Sequence, residues 1–411
     1  MKTDIKISAL SPEDAITAEK ILQSCVHCGF CNATCPTYQL IGDENDGPRG
    51  RIYLIKQMLE GKQVSASTRT HLDRCLICRN CETTCPSGVE YSQLLDIGRK
   101  IINTQSPRDF KDRLIRKALR TILPHPKRFS PLLRIGQLFK PLLPAKIKKK
   151  IPRRVAKGEC YITRHKRKMI ILDGCVQSAI SPDINQATAR VLHKLNISLI
   201  KPKGAACCGA VSQHLSAEDE ALSYMKKNID AWWTDIESGA EAIIMTASGC
   251  GAMVKEYAYF LRNDPDYADK AQRVSTLCKD ISEILINEDL SLLVKEKTKQ
   301  HSNQQNKQKI SWHPPCTLQH GQKITGVVEQ ILIQCGYKLP IIKDQHLCCG
   351  SAGTYSILQP VISEKLQINK ITALLESDPE LIVTANIGCQ THLQEASKVP
   401  VIHWIHLLDS L

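Results

Sequence analysis

Two short cysteine runs near the amino end have the residue types and spacing that hold iron–sulfur clusters. The first run is CVHCGFCNATCP and the second is CLICRNCETTCP, so each has cysteines spaced C-x2-C-x2-C-x3-C and followed by proline. This is the spacing of two-cluster ferredoxins, in which three thiolates on a tight loop bind one cluster and the fourth thiolate binds the other. The two runs therefore predict two [4Fe–4S] clusters.

The exchange of the fourth cysteine fixes the predicted ligand sets. One cluster is assigned to Cys25, Cys28, Cys31 and Cys85, and the other to Cys35, Cys75, Cys78 and Cys81. Zinc is the alternative, because four thiolates also hold a tetrahedral zinc ion. Zinc sites usually draw pairs of cysteines from separated segments, whereas here four cysteines before a proline occur twice. The spacing therefore favours iron.

A second cysteine pattern recurs in the carboxyl-terminal half and indicates a duplicated domain. Its residues are Cys175, Cys207, Cys208 and Cys250 in the first copy, and Cys316, Cys348, Cys349 and Cys389 in the second. The offsets are nearly constant, at 316 − 175 = 141, 348 − 207 = 141 and 389 − 250 = 139. Three interpretations are open for these cysteines: a further metal centre, a redox-active dithiol, or buried packing that remains from an ancestral site. Cys160, Cys278 and Cys335 have no counterpart in the other copy and are expected to be core or incidental residues.

The segments around these cysteines predict an α-helical ferredoxin-like module followed by two α/β repeats. Between the two runs, GPRGRIYLIKQMLEGK and THLDRC have a helical pattern. Each repeat alternates short apolar runs (KMIILDGC, AEAIIMTASGC and ELIVTANIGC) with helical patterns such as NQATARVLHKLN and TGVVEQILIQCG. In open α/β sheets, ligands gather beyond the carboxyl ends of the strands, so each repeat's cysteines are expected to converge there. We expect a ferredoxin-type domain at 1–100, a basic, proline-rich connector without long helices at 101–168, and CCG-type α/β repeats at 169–294 and 309–411, joined by a flexible polar linker at 295–309.

Composition and charge limit the class and the location of the protein. Among 411 residues, 42% are hydrophobic, no run of eighteen is apolar, and the amino end has no secretory signal, so we expect a cytoplasmic protein. Thiols stay reduced there, and the nineteen cysteines are not a disulfide framework. Of the net charge of +14, much lies at 146–168, where eleven Lys or Arg accompany one acid. This stretch is either a solvated linker or a patch for anionic lipid or an acidic partner subunit; nucleic acid is not expected, because aromatic residues for base stacking are lacking.

The chain resembles the iron–sulfur subunits of bacterial glycolate oxidase (glycolate dehydrogenase) nearly from end to end. The resemblance rests on CVHCGFCNATCPTYQL, DGPRGRIYLIKQ, CLICRNCETTCPSGV, NIDAWW, TASGCGA, HLCCGSAGTY and TANIGCQTHL. It implies a complex in which flavin-binding subunits, carrying FAD, oxidise glycolate to glyoxylate. This subunit would carry the electrons through its two [4Fe–4S] clusters to a quinone-type acceptor, peripherally on the inner face of the cytoplasmic (inner) membrane. No catalytic residue is assigned here, and the chain has no G-x-G-x-x-G after a strand and no P-loop.

The CCG repeat is shared by a broader group, so other functions stay open. The alternatives are the iron–sulfur subunit of an anaerobic glycerol-3-phosphate or lactate dehydrogenase, a CCG-type disulfide reductase, and a metal-stabilised scaffold without redox change. In heterodisulfide reductases, which this repeat resembles, the longer pattern ends in a further cysteine and holds an unusual [4Fe–4S] cluster. This chain has Met253 and His392 at that position, so each repeat offers four thiols. A pure electron relay is expected to have no reductase activity without its flavin partners.

Overall fold

The computed structural model describes residues 1, 3–6, 10–158, 165–295 and 308–411, which fall into two units. The first unit comprises Met1–Ala118, His214–Ser216 and His346–Lys370, and the second comprises Leu119–Gln213, Ala217–Gln345 and Ile371–Leu411. Cys160, part of the basic stretch (159–164) and most of the expected linker (296–307) lie outside the described residues. Within the described ranges, no helix combines the length and the apolar character needed to cross a bilayer.

The described residues form helices throughout and strands only in the second unit. The helices are α1 Pro12–Ser24, α2 Phe30–Ala33, α3 Pro36–Ile41, α4 Pro48–Leu59, α5 Ala66–Asp73, α6 Asn80–Thr84, α7 Tyr91–Gln105, α8 Phe110–Ile122, α9 Pro126–Phe139, α10 Ala145–Lys150, α11 Gln177–Ile180, α12 Asp183–Lys194, α13 Ala210–His214, α14 Glu218–Glu237, α15 Ser248–Lys255, α16 Tyr257–Phe260, α17 Ala268–Leu277, α18 Ile281–Leu285, α19 Ser291–Lys295, α20 Val327–Gln334, α21 Tyr355–Leu358, α22 Pro360–Leu375, α23 Ile387–Ala396 and α24 Ile405–Asp409. The strands are β1 Arg167–Ile171, β2 Ile197–Ile200, β3 Ile243–Met245, β4 Cys278–Asp280, β5 Ile310–His313, β6 Leu381–Thr384 and β7 Val401–His403. Short 3-10 turns lie at Glu44–Asp46 and Lys140–Leu142, and a π turn lies at Thr317–Gly321.

The first unit has the expected helical core. Helix α1 begins after Ser11, whose hydroxyl accepts a hydrogen bond from the amide of Asp14 at 3.1 Å. Its apolar face packs with α4 and α7 in a core of fully buried side chains. Gly98 of α7 allows close packing, because a Cβ there would lie 2.7 Å from Ile55 of α4. Helices α4 and α5 confirm the helical prediction for the segment between the two cysteine runs.

The second unit contains two parallel sheets, one in each CCG repeat. The first sheet has the order β2-β1-β3-β4 and the second has the order β5-β6-β7, with parallel pairing throughout. Strands β1, β3 and β6 lie in the apolar runs predicted from the sequence, and α12 and α20 lie in the predicted helical patterns. One hydrophobic core runs through both repeats and includes the buried Trp312 and Trp404. The predicted fold class, a helical module followed by two α/β repeats, is confirmed.

The proline-rich connector contains longer helices than we expected. Helices α8 and α9 have 13 and 14 residues, although prolines recur in this segment. Pro126 occupies the first position of α9, where a missing N–H breaks no hydrogen bond of the helix. Pro131 lies inside α9 and removes one interior hydrogen bond without ending the helix. The expectation of no long helices was therefore wrong, because it counted prolines without regard to their position.

Candidate metal centres

The two cysteine runs of the first unit fold as near copies of each other. His27 and Ile77, at equivalent positions, both have positive φ, at 56° and 54°. Gly29 and Arg79, two residues further on, are also left-handed, at 89° and 60°, and each directly precedes a short helix, α2 or α6. Left-handed residues turn the chain sharply. Each run therefore wraps its first three cysteines around one cavity.

Each cavity is lined by cysteines of both runs. The first cavity is lined by Cys25, Cys28, Cys31, Cys85 and Cys81, together with apolar residues that include Ile52 and Val89. The second is lined by Cys35, Cys75, Cys78 and Cys81, together with Leu76, Ile77 and Tyr91. The four cysteines of each predicted set line one cavity, and Cys81 borders both cavities.

The thiol chemistry of these cavities fits a metal cluster. None of the eight cysteines forms a disulfide. Burial raises the pKa of Cys25, that of Cys31 to about 11, and that of the fully enclosed Cys81 well above its usual value. Such thiols stay protonated at neutral pH unless a cation stabilises the thiolates, and a bound metal deprotonates its thiol ligands. Four sulfur donors in an apolar cavity suit an iron–sulfur cluster.

A buried ionic network that sequence analysis did not predict adjoins the second cavity. Arg51 of α4 lines this cavity and is 1% exposed. Its Nε donates to the carbonyl oxygen of His71 at 2.7 Å, and its Nη2 lies 3.5 Å from Oδ1 of the fully buried Asp46. The Asp46 carboxylate also accepts from Nη1 of Arg74 at 2.8 Å and contacts Nδ1 of His71 at 3.1 Å. The segment DGPRGR contains Asp46 and Arg51 but has no spacing pattern that predicts this network.

One hydroxyl connects this network to a predicted ligand. Thr37 Oγ1 accepts from both Nη atoms of Arg51 at 3.2 Å, donates to the carbonyl oxygen of Asp46 at 2.7 Å, and lies 3.2 Å from Sγ of Cys35. Thr37 is 1% exposed, so water does not compete for these contacts. At the second cavity, the hydroxyl of Thr37 thus lies between the buried guanidinium of Arg51 and Sγ of Cys35, a predicted ligand.

The first cavity has a different charged neighbour. Arg49, also of α4, lines that cavity, and its side chain is 37% exposed. Its Nε donates to Oε1 of Glu44 at 2.6 Å, and the same carboxylate accepts from the side-chain amide of Asn32. These contacts hold the pKa of Glu44 below its usual value, chiefly through the hydrogen bond from Arg49. Arg49 is therefore a partly exposed cation that forms an ion pair with Glu44.

The four cysteines of the first CCG repeat converge in the second unit. Sγ of Cys175 donates to Sγ of Cys207 at 3.4 Å. Hydrogen bonding with Cys175 and Cys208 raises the pKa of Cys207 well above its usual value, and hydrogen bonding with Cys208 does the same for Cys250. Cys175 follows β1 and Cys250 lies in the first turn of α15, after β3, so both lie beyond the carboxyl ends of parallel strands.

Polar side chains hold the backbone of the first CCG loop in place. The side-chain amide of Asn228 donates to the carbonyl oxygen of Cys207 at 2.9 Å, and the hydroxyl of Tyr257 donates to that of Cys208 at 2.9 Å. Gly209 has a φ of 92°, and a Cβ there would lie 3.2 Å from a carbonyl oxygen of α14, so the glycine after the cysteine pair is required by the backbone. Sequence analysis missed Asn228 and Tyr257, since neither belongs to a cysteine motif.

The cysteines of the second CCG repeat belong to both units. Cys316 and Cys389 lie in the second unit, whereas Cys348 and Cys349 lie in the segment His346–Lys370 of the first. All four are buried. Gly350 repeats the conformation of the first repeat, with a φ of 90°, and a Cβ there would lie 2.6 Å from the carbonyl oxygen of Ser363.

The segment that carries Cys348 and Cys349 contacts the cluster module of the first unit. The hydroxyl of Tyr355 donates to the carbonyl oxygen of Arg74 at 2.9 Å, next to Cys75. The side-chain amide of Asn80 donates to the carbonyl oxygens of Thr34 at 3.0 Å and of His346 at 3.2 Å. The side-chain amide of Asn80, in the second cysteine run, thus forms hydrogen bonds with the first run and with the residue two positions before Cys348.

Among the residues that the structure describes, Cys278, Cys335 and the two non-cysteine positions of the CCG pattern are buried. Burial raises the pKa of Cys335 to about 11, and Cys335 lies in the core shared by the repeats. Cys278 begins β4, and its Sγ lies 3.9 Å from the carbonyl oxygen of Gly251. Met253 packs in the hydrophobic core of the first repeat, and His392 is buried in α23.

Fold and cavities together define an iron–sulfur protein with a dicluster module and two cysteine-rich α/β repeats. The family described as "4Fe-4S dicluster domain" matches residues 21–89, and the family "Cysteine-rich domain" (CCG) matches residues 169–255 and 310–394. A solved structure, titled as a hypothetical protein from Helicobacter pylori, has a similar fold, with a TM-score of 0.54 at 8% identity over 97% of this chain and 72% of that one.

Full-length relatives identify the family. The "Glycolate oxidase iron-sulfur subunit" of Escherichia coli (strain K12) is 50% identical over 410 residues, which are 100% of this chain and 98% of that protein. The "Probable glycolate oxidase iron-sulfur subunit" of Bacillus subtilis (strain 168) is 29% identical over 94% of this chain and 93% of its own length. "Lactate utilization protein A" of Bacillus velezensis is 24% identical over 57% of this chain and 96% of its own length. The chain belongs to the family of glycolate oxidase iron–sulfur subunits.

Proposed function

We propose that this chain is the electron-transfer subunit of a glycolate oxidase complex. In that complex, FAD-binding partner subunits convert glycolate to glyoxylate, and this chain conducts the electrons to a quinone-type acceptor. The pair of cavities lined by the two exchanged sets of cysteines carries the proposal. [4Fe–4S] clusters bound there supply one-electron carriers, so a pair of electrons would leave the flavin one at a time. The chain's own part is to hold the clusters, to exclude water from them and to set their potentials.

We propose the ligand sets that the spacing predicts. Cys25, Cys28, Cys31 and Cys85 would hold one cluster, and Cys35, Cys75, Cys78 and Cys81 the other. The exchanged fourth ligand would join the two runs covalently through both clusters. Loss of one cluster would therefore also loosen the loop that binds the other.

Iron and sulfide analysis with EPR of the anaerobically purified chain tests the proposal. About eight irons and eight sulfides per chain, with two reducible [4Fe–4S] signals, are expected from the two cavities. Zinc in place of iron, or clusters that do not cycle on reduction, would reject electron transfer in favour of a structural metal site. Reductase activity of the isolated chain without flavin partners would favour the disulfide reductase alternative.

The converging thiols of the first CCG repeat support a further redox or metal site. The Sγ atoms of Cys175 and Cys207 are 3.4 Å apart, and the side chains of Cys208 and Cys250 are hydrogen-bonded. We propose the same role for Cys316, Cys348, Cys349 and Cys389 of the second repeat. Iron clearly above about eight atoms per chain would indicate metal in the CCG repeats. Iron at that number together with a reversible dithiol oxidation would indicate a redox-active thiol pair.

A basic apolar face on the second unit supports a peripheral position on an anionic membrane. The large apolar side chains of this face that are exposed are Leu132, Ile135, Leu138, Phe139, Leu142 and Ile147. Those within α9 recur at helical spacing, and α9 buries none of its described residues. Residues 119–158 contain twelve Lys or Arg and no Asp or Glu. Apolar side chains among cations are typical of interfacial helices on anionic lipid.

Co-sedimentation of the full chain with lipid vesicles tests this position. We expect binding to vesicles that contain phosphatidylglycerol, weaker binding to pure phosphatidylcholine, and release by salt. The double variant Leu138→Gln/Leu142→Gln should lower the partition coefficient by at least about tenfold. Ile341→Gln is the matched control, because Ile341 is fully exposed but lies outside the basic apolar face. Equal binding by all three proteins would reject lipid and favour the acidic partner subunit or a solvated linker.

A lactate substrate for the complex is the second candidate. The similarity to "Lactate utilization protein A" supports it but covers 57% of this chain, whereas the similarity to glycolate oxidase subunits extends over the whole chain. Reduction of the clusters in the assembled complex by glycolate, but not by lactate or glycerol 3-phosphate, is the expected result.

A further inference from the structure

Arg51 places a positive charge in the protein interior, on the wall of the second cavity. The side chain is 1% exposed, and its position is fixed by hydrogen bonds to the carbonyl oxygen of His71 and to Thr37. A guanidinium remains charged at any pH of interest. Because solvent does not reach it, its field at the cavity is screened much less than that of a surface cation.

The negative charge beside Arg51 does not fully neutralise it. Asp46 is the carboxylate in contact with Arg51, at 3.5 Å, but it makes a closer contact of 2.8 Å with Arg74. Two guanidinium groups therefore share one carboxylate, and the Arg51–Asp46–Arg74 group has a net positive charge. The side chains of Arg51 and Asp46 are both inaccessible to water, whereas that of Arg74 is 31% exposed, so solvent screens the charge of Arg74 but not that of Arg51.

Thr37 extends this polarisation to the ligand sulfur. Its hydroxyl oxygen accepts from the guanidinium, donates its one hydrogen to the carbonyl oxygen of Asp46 at 2.7 Å, and lies 3.2 Å from Sγ of Cys35. The hydroxyl therefore lies between the guanidinium and the ligand sulfur, and polar groups next to ligand sulfurs tune the potential of a cluster.

We propose that Arg51 holds the reduction potential of the cluster at Cys35, Cys75, Cys78 and Cys81 above that of the cluster at Cys25, Cys28, Cys31 and Cys85. This inference rests on the proposed function, since it requires both clusters. Reduction adds one electron and hence one negative charge to a cluster, with no bond made or broken. A nearby uncompensated positive charge favours that added charge. The first cavity is lined by Arg49, whose side chain is 37% exposed and ion-paired with Glu44, so its charge is screened more than that of Arg51 and raises the potential of the first cluster less.

The proposed difference in potential gives electron flow a direction within the first unit. With both clusters bound, this difference would favour transfer of an electron from the first cavity to the second. The second cluster's loop contacts the segment that carries Cys348 and Cys349, through the hydrogen bond from Tyr355 to the residue before Cys75. Arg51 would thus act as a tuning residue that makes the second cluster the exit from the dicluster module.

An EPR-monitored redox titration of the full chain with both clusters bound tests the role of Arg51. In Arg51→Gln, the reduced-to-oxidised ratio of the second cluster at a fixed ambient potential should fall by about tenfold, which equals about 59 mV for a one-electron couple. The ratio for the first cluster should stay unchanged. Arg51→Lys keeps the charge and should change the ratio of the second cluster by less than about threefold.

Two further variants separate electrostatic tuning from structural damage. Asp46→Asn removes the negative charge and should raise the ratio for the second cluster, opposite to Arg51→Gln. Damage to the cavity would move both variants in one direction. Arg49→Gln is the matched control from the same helix and should leave the second cluster unchanged. The Cys28→Ser chain, expected to retain the second cluster, assigns the two EPR signals.

The outcomes distinguish this inference from the proposed function. A wild-type chain without two reducible clusters rejects the proposed function. A chain with two clusters whose potentials do not respond to Arg51→Gln, or respond equally, rejects the role of Arg51 alone. Equal shifts in one direction for Arg51→Gln and Asp46→Asn also reject it. If Arg51→Gln does not fold with both clusters, Asp46→Asn and Arg51→Lys are used for the test instead. A lower reduced-to-oxidised ratio of the second cluster in Asp46→Asn then overturns the inference.

Discussion

The two cysteine cavities of the first unit repeat one motif but differ in the charge around them. Their loops share the same left-handed residues and the same exchange of the fourth cysteine. Helix α4 then gives each cavity one arginine. Arg49 is partly exposed and hydrogen-bonded to Glu44, whereas Arg51 is buried and shares Asp46 with Arg74. Repetition of the ligands therefore does not make the two sites equivalent.

The difference between the cavities follows from the position of two residues on one helix. Arg49 and Arg51 are two positions apart, and at about 100° per residue their side chains project about 200° apart around the α4 axis. One helix can therefore serve two cavities on opposite sides. The side that faces the core buries Arg51, so its charge acts in a medium that screens weakly.

Loss of a single ligand should produce the largest effect and would test whether the cavities are separate sites. Cys28→Ser should lose the first cluster and Cys78→Ser the second, each removing about half of the iron held by the two cavities. Two different EPR signals should disappear. Iron, sulfide and EPR measurements on the anaerobic chains check this.

A buried cysteine outside both cavities supplies the control for these ligand variants. Cys335→Ser should keep both EPR signals, because Cys335 lies in the core of the second unit. If Cys28→Ser left both signals unchanged, the ligand assignment would be wrong. If Cys28→Ser and Cys78→Ser removed the same signal, the two cavities would not correspond to two clusters.

Removal of Arg51 should lower the free energy of unfolding more than removal of Arg49. Arg51→Ala leaves Asp46 without one of its buried cations and removes two hydrogen-bonded contacts, so the free energy of unfolding should fall by about 3–5 kcal/mol. Arg49→Ala breaks the half-exposed ion pair with Glu44 and should lower the free energy of unfolding by at most about 1 kcal/mol. Urea unfolding of the anaerobic chains, followed by circular dichroism, measures both. Similar losses would show that the burial of Arg51 does not distinguish the two sites.

Sequence spacing predicts the local parts of this molecule and not the tertiary contacts. The cysteine sets, the parallel strands β1, β3 and β6 and the convergence of Cys175 with Cys207 all follow from patterns within short segments or from a known exchange of ligands. Each of these features depends on residue types at fixed separations. Such separations are visible in one sequence.

The charge network could not be predicted in the same way. Arg51, Asp46 and His71 meet because α4, the turn before it and α5 pack together, and no spacing rule connects position 71 to position 46. The segment DGPRGR could have suggested two arginines on opposite sides of a helix, but not which one is buried. The connector helices were underestimated for a related reason, since the effect of Pro126 depends on where the helix begins.

The hydroxyl beside Cys35 should give the smallest difference between the cavities. Thr37 follows Cys35-Pro36, and Ser87 holds the equivalent position after Cys85-Pro86, but Thr37 is buried whereas Ser87 is partly exposed. Thr37→Val removes the hydroxyl between Arg51 and Sγ of Cys35 while the charge stays. One hydrogen bond contributes about 0.5–1.5 kcal/mol, so the second cluster's reduced-to-oxidised ratio should fall by about two- to tenfold. Ser87→Ala should leave the first cluster's ratio almost unchanged in the same titration, because water can replace that hydroxyl. A shift as large for Ser87→Ala as for Thr37→Val would mean that the hydroxyls act alike at both sites, and that burial adds nothing to the tuning of the second.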